Sequence, residues 1–303
     1  MADTRQSEPR TVLEFLGRAA AFLADHGVAS ARLDAEVLLA FVLGVDRVGV
    51  YLRFDQPLGA REIGAYRELV RRRGGGTPAA YLTGTREFWS LPLAVTPDVL
   101  IPRPETELLV ERVLAGGTDA PDVPRVLRIL DLGTGSGALA IALARALPAA
   151  RVVAVDVSPP AATLAIANAA RAGVGERVQV VVGSWTAALD PAARFDVVVS
   201  NPPYVPTAAI AGLAREVRAE PVLALDGGAD GLACYRALVP GAAAHLAPGG
   251  RLLVEVGEGQ AEAVAAILVA AGLEGVAWHA DLAGVARVVT ASAAAPALAE
   301  LAV

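Results

Sequence analysis

The stretch VVVSNPPYVP, residues 197–206, ends an apolar run with an amide, two prolines and an aromatic ring. Asn201 offers a carbonyl acceptor and an NH2 donor. The residue before a proline is pushed toward extended backbone, so Asn201 is held rather than free. Pro202 has a fixed φ and no N–H, and its carbonyl is left to accept from a ligand. Asn201 Oδ1 and the Pro202 carbonyl can therefore accept both N–H bonds of one planar NH2 group. Pro203 stiffens the loop, and Tyr204 can stack on the plane of that group. An amide or aromatic NH2 is a poor nucleophile because its lone pair is delocalised. Two fixed acceptors would orient it and stabilise charge growing on nitrogen, which is positioning plus electrostatics and needs no strong base. The plain alternative is a rigid proline turn after a strand.

A second constellation begins at Asp131, 70 residues before Asn201: DLGTGSG, from Asp131 through Gly133, Thr134, Gly135 and Ser136 to Gly137. Its glycines let the chain turn sharply and let a ligand approach the backbone. Asp156 ends the next apolar run, 25 residues after Asp131, where an acid can accept both ribose hydroxyls of an adenosine ligand. The dinucleotide fingerprint G-x-G-x-x-G carries a pyrophosphate on a helix N-terminus. Here the spacing is G-x-G-x-G, and Asp131 would repel a pyrophosphate but could pair with an amino group. Both features count against a module binding NAD. S-adenosylmethionine has the amino group, an adenosine and no phosphate. From about Val126 to Val199 the pattern resembles the class I S-adenosylmethionine-dependent methyltransferases. Trp185, in VGSW, falls where such enzymes contact the adenine; a partly buried structural tryptophan is the alternative.

The elements that must position these groups follow from periodicity. From Val126 on, near-continuous apolar runs (VLRIL, RVVAVDVS, VQVVVGS, FDVVVSNPPY, GGRLLVEVG) alternate with helical segments (ALAIALARAL, PAATLAIANAARAG, GQAEAVAAILVAAG), which predicts a mostly parallel sheet covered on both faces. A helix over 230–246 is expected to be interrupted at Pro240–Gly241, and late strands are expected near 276–279 and 285–290. Ahead of this part, three amphipathic helices are predicted. The first opens with the capping-box pair Thr11 and Glu14 and turns Leu13, Leu16, Ala20 and Leu23 inward. The second follows Ser30 and faces Leu33, Val37, Leu38 and Phe41 inward, ending at Gly44. The third spans about 60–73. A hairpin or extended linker comes next, then a helix from near Pro104, and 116–125 reads as a loop.

Composition narrows the function. The chain has 303 residues and a net charge of −6, and every basic residue is arginine. Residues 1–86 carry 12 arginines against 10 acids, and residues 87–303 carry 14 against 22. A grip on long duplex nucleic acid usually needs a basic face; only Arg71–Arg73 form a basic run, which reads as a solvated helix end. Cys234 is the single cysteine, and His26, His245 and His279 are widely spaced, so no metal site is expected. No apolar run approaches a membrane span, and the polar N-terminus lacks the apolar centre of a signal peptide. A cytoplasmic protein is expected.

The chain as a whole, over about 10–290, resembles the protein glutamine methyltransferases that modify peptide chain release factors, the HemK/PrmC family. The likeness is carried by RLDAEVLLA (32–40), PAAYLTGTREFW (78–89), LIPRPETE (100–107), DLGTGSG, Asp156, Trp185, NPPY and LDGGADGL (225–232). It implies an α/β fold: a class I methyltransferase Rossmann-like, mostly parallel seven-stranded sheet with a small N-terminal helical bundle and a hairpin linker. The implied layout is a substrate-docking bundle at 1–77, a linker at 78–104, the methyltransferase domain at 105–290 and an Ala-rich tail at 291–303. The implied cofactor residues are Gly133 through Gly137, Asp156, Trp185 and Asn201, joined by Asp131. Asn201, Pro202, Pro203 and Tyr204 would hold the substrate, with Asn201, Pro202 and Tyr204 catalytic. The implied reaction methylates the side-chain amide nitrogen of the glutamine in the Gly-Gly-Gln loop of release factors, leaving S-adenosylhomocysteine. A monomer with no stable nucleic acid and no membrane partner is expected. Two alternatives stay open: a nucleic-acid methyltransferase acting on adenine or guanine NH2, because Asn-Pro-Pro-Tyr is shared with adenine-N6 enzymes, and a ribosomal-protein glutamine methyltransferase.

Overall fold

The structure is a computed structural model that describes residues 11–116 and 126–295. The N-terminal residues 1–10, most of the loop read at 116–125 and residues 296–303 of the Ala-rich stretch lie outside the described residues. Two compact units are present. One comprises the described residues up to Gly84 together with Ala214–Ala219, the other Thr85–Leu213 and the described residues from Glu220 on.

The first unit contains α1 (Val12–Asp25), α2 (Ala31–Leu43), α3 (Arg47–Tyr51), α4 (Ala60–Gly74) and α5 (Ala79–Thr83). Helices α3 and α5 are too short to carry a periodic signal, which is why three helices were expected. The unit extends to Gly84 rather than 77 because α5 sends Leu82 into the bundle core. Thr11 and Glu14 form the expected capping box. The Ser30 hydroxyl does not cap α2 but donates to Asp34 at 2.9 Å.

The inward stripes differ from those read by apolar periodicity. Leu13, Leu33 and Phe41 are exposed. On α2 the buried stripe is Ala31, Ala35, Leu38 and Leu39, and it carries Asp34 and Glu36 inward with it. Those acids are tolerated because each is paired. Asp34 accepts from Arg73 at 2.6 Å, and Glu36 accepts from Arg32, Arg47 and Tyr51. Burial opposes ionisation of Glu36, but the hydrogen bonds from Tyr51, Arg32 and Arg47 outweigh it and lower its pKa to about 2. Arg73, expected at a solvated helix end, is buried between Asp34 and Glu216.

The second unit opens with a hairpin, β1 (Thr85–Phe88) and β2 (Leu91–Ala94), and a 3-10 turn over Pro104–Thr106 leads into α6 (Glu107–Ala115). Then come β3 (Arg128–Leu132), α7 (Ala138–Ala146), β4 (Arg151–Asp156), α8 (Pro159–Arg171), β5 (Val178–Val182), β6 (Phe195–Ser200), α9 (Ala233–His245), β7 (Leu246–Glu255), α10 (Ala261–Ala270), β8 (Glu274–Ala280) and β9 (Ala286–Ser292). Seven strands form one sheet in the order β5-β4-β3-β6-β7-β9-β8. Strands β3 to β7 pair in parallel, and β9 pairs antiparallel with both β7 and β8.

Alternate strand residues feed two cores, as a doubly covered sheet requires. Ile129, Val197 and Val199 pack with Leu109, Ile141 and Ala169 of α6, α7 and α8. Leu130, Leu132 and Val198 pack with Tyr235, Leu238 and Val264 of α9 and α10.

Two local expectations are corrected, and a stretch with no predicted element gains structure. Helix α9 is not interrupted: it runs through Pro240 to His245. Gly241 suits this close approach: a Cβ there would come within 2.2 Å of Thr186 Oγ1, so a larger residue would need Thr186 to move. Strand β9 reaches Ser292, whose backbone pairs with Arg251, two residues into the stretch read as a tail. Residues 205–224, for which no element was read, form a strand-like bridge at Val205–Asp226 and 3-10 turns over Thr207–Gly212, Val217–Ala219 and Val222–Ala224.

Candidate active site

The strand order β4-β3-β6 brings three carboxyl ends side by side. Ligands of open α/β sheets bind in such a crevice. Register sets the heights: Leu132 pairs with both Val155 and Ser200, so the loop after Leu132, the end of β4 at Asp156 and Asn201 after Ser200 emerge together. A cavity of about 370 Å³ opens there. Asp131, Gly133, Thr134, Gly135, Ser136, Asp156, Trp185, Asn201 and Pro203 all line it. Gly137, Pro202 and Tyr204 do not.

Asp131 divides its two oxygens. Oδ2 accepts from the Thr134 hydroxyl at 2.6 Å and from the Ala140 N–H at 3.2 Å, so it ties down the first turn of α7. Oδ1 is buried with no hydrogen-bond partner among the described residues. Burial pushes the carboxyl from 3.8 up to about 7; the bonds from Thr134 and Ala140 pull it down, and the charge on Asp156 pushes it further up. An unpaired buried acceptor of this kind costs about 1–3 kcal/mol, and a cationic donor from a ligand would relieve it. The Ser136 hydroxyl on the same wall is a second buried group with no hydrogen-bond partner among the described residues.

Asp156 is also built into the loop. Its Oδ2 accepts from the Gly135 N–H at 2.8 Å and its Oδ1 from the Ser158 N–H at 2.9 Å. Each carboxylate oxygen has a second lone pair, so both can still take a ligand hydroxyl. The three loop glycines all adopt positive φ, and the Gly133 and Thr134 N–H groups both bond to the Val155 carbonyl. Trp185 sits at φ 49°, a region costly for a bulky side chain. These features together fit an adenosine-bearing ligand with an amino group.

The Asn201 loop is held by more distant parts. Asn201 Nδ2 donates to Thr106 Oγ1 at 3.0 Å, which leaves Oδ1 with no donor among the described residues. No described N–H or O–H donates to the Pro202 carbonyl. Tyr204 is turned into the protein, its hydroxyl 3.4 Å from Glu255 Oε1. Burial, the largest cause, and the neighbouring Glu255 both raise its phenol above the usual range. The Tyr204 carbonyl accepts from Gln260 Nε2 at 3.0 Å. The LDGGADGL segment lies against the same backbone: a Cβ on Gly231 would come within 2.4 Å of the Tyr204 carbonyl oxygen, so the loop can sit there only beside glycine. Val205 N–H bonds to the Leu225 carbonyl, and Gly227 N–H bonds to the Val205 carbonyl.

Several groups at the site were not read from the sequence. Arg103 and Thr106 line the cavity. Glu220, buried, accepts from the Ile101 N–H at 3.0 Å and pairs with Arg103, fixing the LIPRPETE segment. Leu223 and Ala224 add apolar wall. Arg103 and Thr106 lie in LIPRPETE, and Glu220, Leu223 and Ala224 just precede LDGGADGL, but residue type alone does not say which of them touches what.

Two family models match the chain in succession: the PrmC N-terminal domain at residues 14–84 and a methyltransferase domain at 129–223. The release factor glutamine methyltransferase of Geobacter sulfurreducens is 48% identical over 262 residues, which is 86% of this chain and 89% of that protein. The protein of the same name from Moorella thermoacetica is 47% identical over 254 residues, 84% of this chain and 88% of its own. Among solved structures, the hMettl16 catalytic domain in complex with the MAT2A 3′UTR hairpin 6 matches with a TM-score of 0.55 at 16% identity, over 74% of this chain and 82% of that one, a likeness of fold alone. With this degree of likeness along most of its length, the chain belongs to the release factor glutamine methyltransferase family.

Proposed function

We propose that the protein transfers the methyl group of S-adenosylmethionine to the side-chain amide nitrogen of the glutamine in the Gly-Gly-Gln loop of bacterial peptide chain release factors. The observation that carries this is the Asn201 amide. Its nitrogen is occupied by Thr106, and among the described residues nothing donates to its oxygen, which lines the cavity, or to the carbonyl of the following Pro202. Two such acceptors suit an NH2 nucleophile, and they match the needs of an amide whose charge grows as it attacks. When bound, the cofactor would supply an electrophilic methyl on a sulfonium, and Asn201 Oδ1 and the Pro202 carbonyl would hold the glutamine nitrogen that accepts it, its proton going to water. Asp131 Oδ1 would take the cofactor's amino group, Asp156 its ribose hydroxyls, Trp185 its adenine, and the backbone from Gly133 to Gly137 its remaining length. Pro203 would wall the glutamine side. Tyr204 would act from behind the loop, fixing its backbone.

The first unit would dock the protein substrate, and the protein would work as a cytoplasmic monomer. No helix among the described residues is long and apolar enough to cross a membrane.

The test is methyl transfer from labelled S-adenosylmethionine to a purified release factor, wild type against Gln→Ala in its Gly-Gly-Gln loop. Label on the wild type alone is expected. Equal labelling of both would exclude that glutamine as the acceptor.

A further inference from the structure

The proposed reaction gives Glu220 no role, yet the fold goes to some length to bury it. Glu220 lies between the 3-10 turns Val217–Ala219 and Val222–Ala224 and is 4% exposed. A buried carboxylate is costly unless it is paired and hydrogen-bonded. Both of its oxygens go to one segment. Oε2 accepts from the Ile101 N–H at 3.0 Å, and Oε1 accepts from the Arg103 guanidinium. A two-point hold of this kind fixes the backbone at 101 and the side chain at 103 together.

From Glu220 two paths run to the Asn201 loop, one to each end. On the first, the Arg103 carbonyl accepts from the Thr106 N–H at 3.2 Å, closing the turn Pro104–Thr106. Thr106 Oγ1 then accepts from Asn201 Nδ2 at 3.0 Å. On the second, Pro221 follows Glu220 and leads into the turn Val222–Ala224. The next carbonyl, that of Leu225, accepts from the Val205 N–H at 2.9 Å. Asn201 opens the NPPY stretch and Val205 follows it, so the loop is tied at both ends to segments that meet at one carboxylate. We infer that Glu220 is a positioning residue for the acceptor side: by joining segment 101–106 to segment 221–225 it sets the spacing of the two anchors of the Asn201–Tyr204 loop, and so the aim of Asn201 Oδ1 and the Pro202 carbonyl at the incoming NH2 group. The inference rests on the glutamine-holding role proposed above. A misplacement of about 1 Å far from the chemistry can cost on the order of 10²-fold in rate. Glutamine at this position has one acceptor oxygen in place of two, and its NH2 would face either the Ile101 N–H or the Arg103 guanidinium, a donor against a donor. Aspartate keeps both oxygens but draws them back by a methylene.

The experiment compares Glu220→Gln and Glu220→Asp with wild type in the full chain, each alone and combined with Asn201→Ala. It measures single-turnover methyl transfer to a purified release factor at saturating S-adenosylmethionine, the cofactor Kd by calorimetry and the melting temperature. Either single substitution is expected to slow transfer about tenfold or more, with the cofactor Kd changed by less than about threefold. In the Asn201→Ala background the same substitutions should cost less than about threefold further, because groups that act as a unit are not additive. A carboxylate that only stabilised the fold would lower the melting temperature and leave transfer below melting untouched, or slow it equally in both backgrounds. Either of those results would overturn the inference. Should one of the two substitutions prevent folding, the other decides. Asn201→Ala alone separates the two levels. If it transfers at the wild-type rate, the holding role itself is wrong, whereas a slow Asn201→Ala beside fully active Glu220 variants sinks only the positioning role.

Discussion

The two sides of the cavity are built in different ways. On the Asp131–Gly137 side the structure is made by neighbours. Asp131 holds Thr134 and Ala140, and Asp156 holds Gly135 and Ser158. On the Asn201–Tyr204 side almost nothing local holds the loop. Asn201 leans on Thr106, 95 positions away, and Tyr204 on Glu255 and Gln260, 51 and 56 positions away. A side held by its own carboxylates should fail through ligand affinity. A loop held by remote partners should fail through geometry, which lowers rate while affinity stays.

The largest effect should come from Asn201→Ala. Removing one preorganised group that stabilises developing charge costs on the order of 10²–10³-fold in rate, and stopped single-turnover transfer measures it directly. Next comes Asp131→Asn. It takes away the charged partner of an amino group, so cofactor Kd by calorimetry should rise about 10- to 100-fold, while the rate at saturating cofactor should largely survive. Smaller still is Gln260→Ala, which frees the Tyr204 carbonyl and is expected to slow transfer by about fivefold, one net hydrogen bond, with cofactor Kd unchanged. A large rise in Kd for Gln260→Ala would blur the distinction between the two sides.

Titration sharpens the same contrast. The Asp131 carboxyl is raised to about 7 by burial, and only its ionised form pairs with an ammonium. Cofactor affinity of the wild type should therefore fall as pH drops from 8 to 6, and Asp131→Asn should show a flat profile in that window. Stability carries the opposite sign. A raised carboxyl binds its proton more tightly in the native state, so its contribution is complete below about 3.8 and is lost as pH rises through about 7. Relative to wild type, Asp131→Asn should thus melt higher at pH 8 than at pH 5.5, a protein made more stable as it loses affinity. Equal melting differences at both pH values would show that the carboxyl is not strained.

How much was visible in the sequence follows from the same difference. The glycine loop, Asp131 and Asp156 could be read because their partners lie within a few residues or one strand away, and the alternating apolar runs predicted the sheet that aligns them. The NPPY residues were readable as chemistry but not as structure. Nothing near Asn201 names Thr106, and Glu255 reads as the end of the apolar run GGRLLVEVG. Tyr204 was expected to stack on the substrate, yet its hydroxyl faces Glu255 and its ring does not line the cavity. In the first unit, apolar periodicity misplaced Leu33 and Phe41, because the ion pairs of Asp34 and Glu36 make buried acids cheaper than the pattern assumes.

The central claim is that donor affinity and acceptor geometry are separable in this cavity. It is tested most directly by measuring cofactor Kd and single-turnover transfer to a release factor side by side in Asn201→Ala and Asp131→Asn. The expected result is a crossed pattern. Asn201→Ala loses about 10²-fold or more in rate with Kd within about threefold, and Asp131→Asn loses affinity but regains most of its rate at saturation. Proportional loss of both quantities in both variants would contradict it.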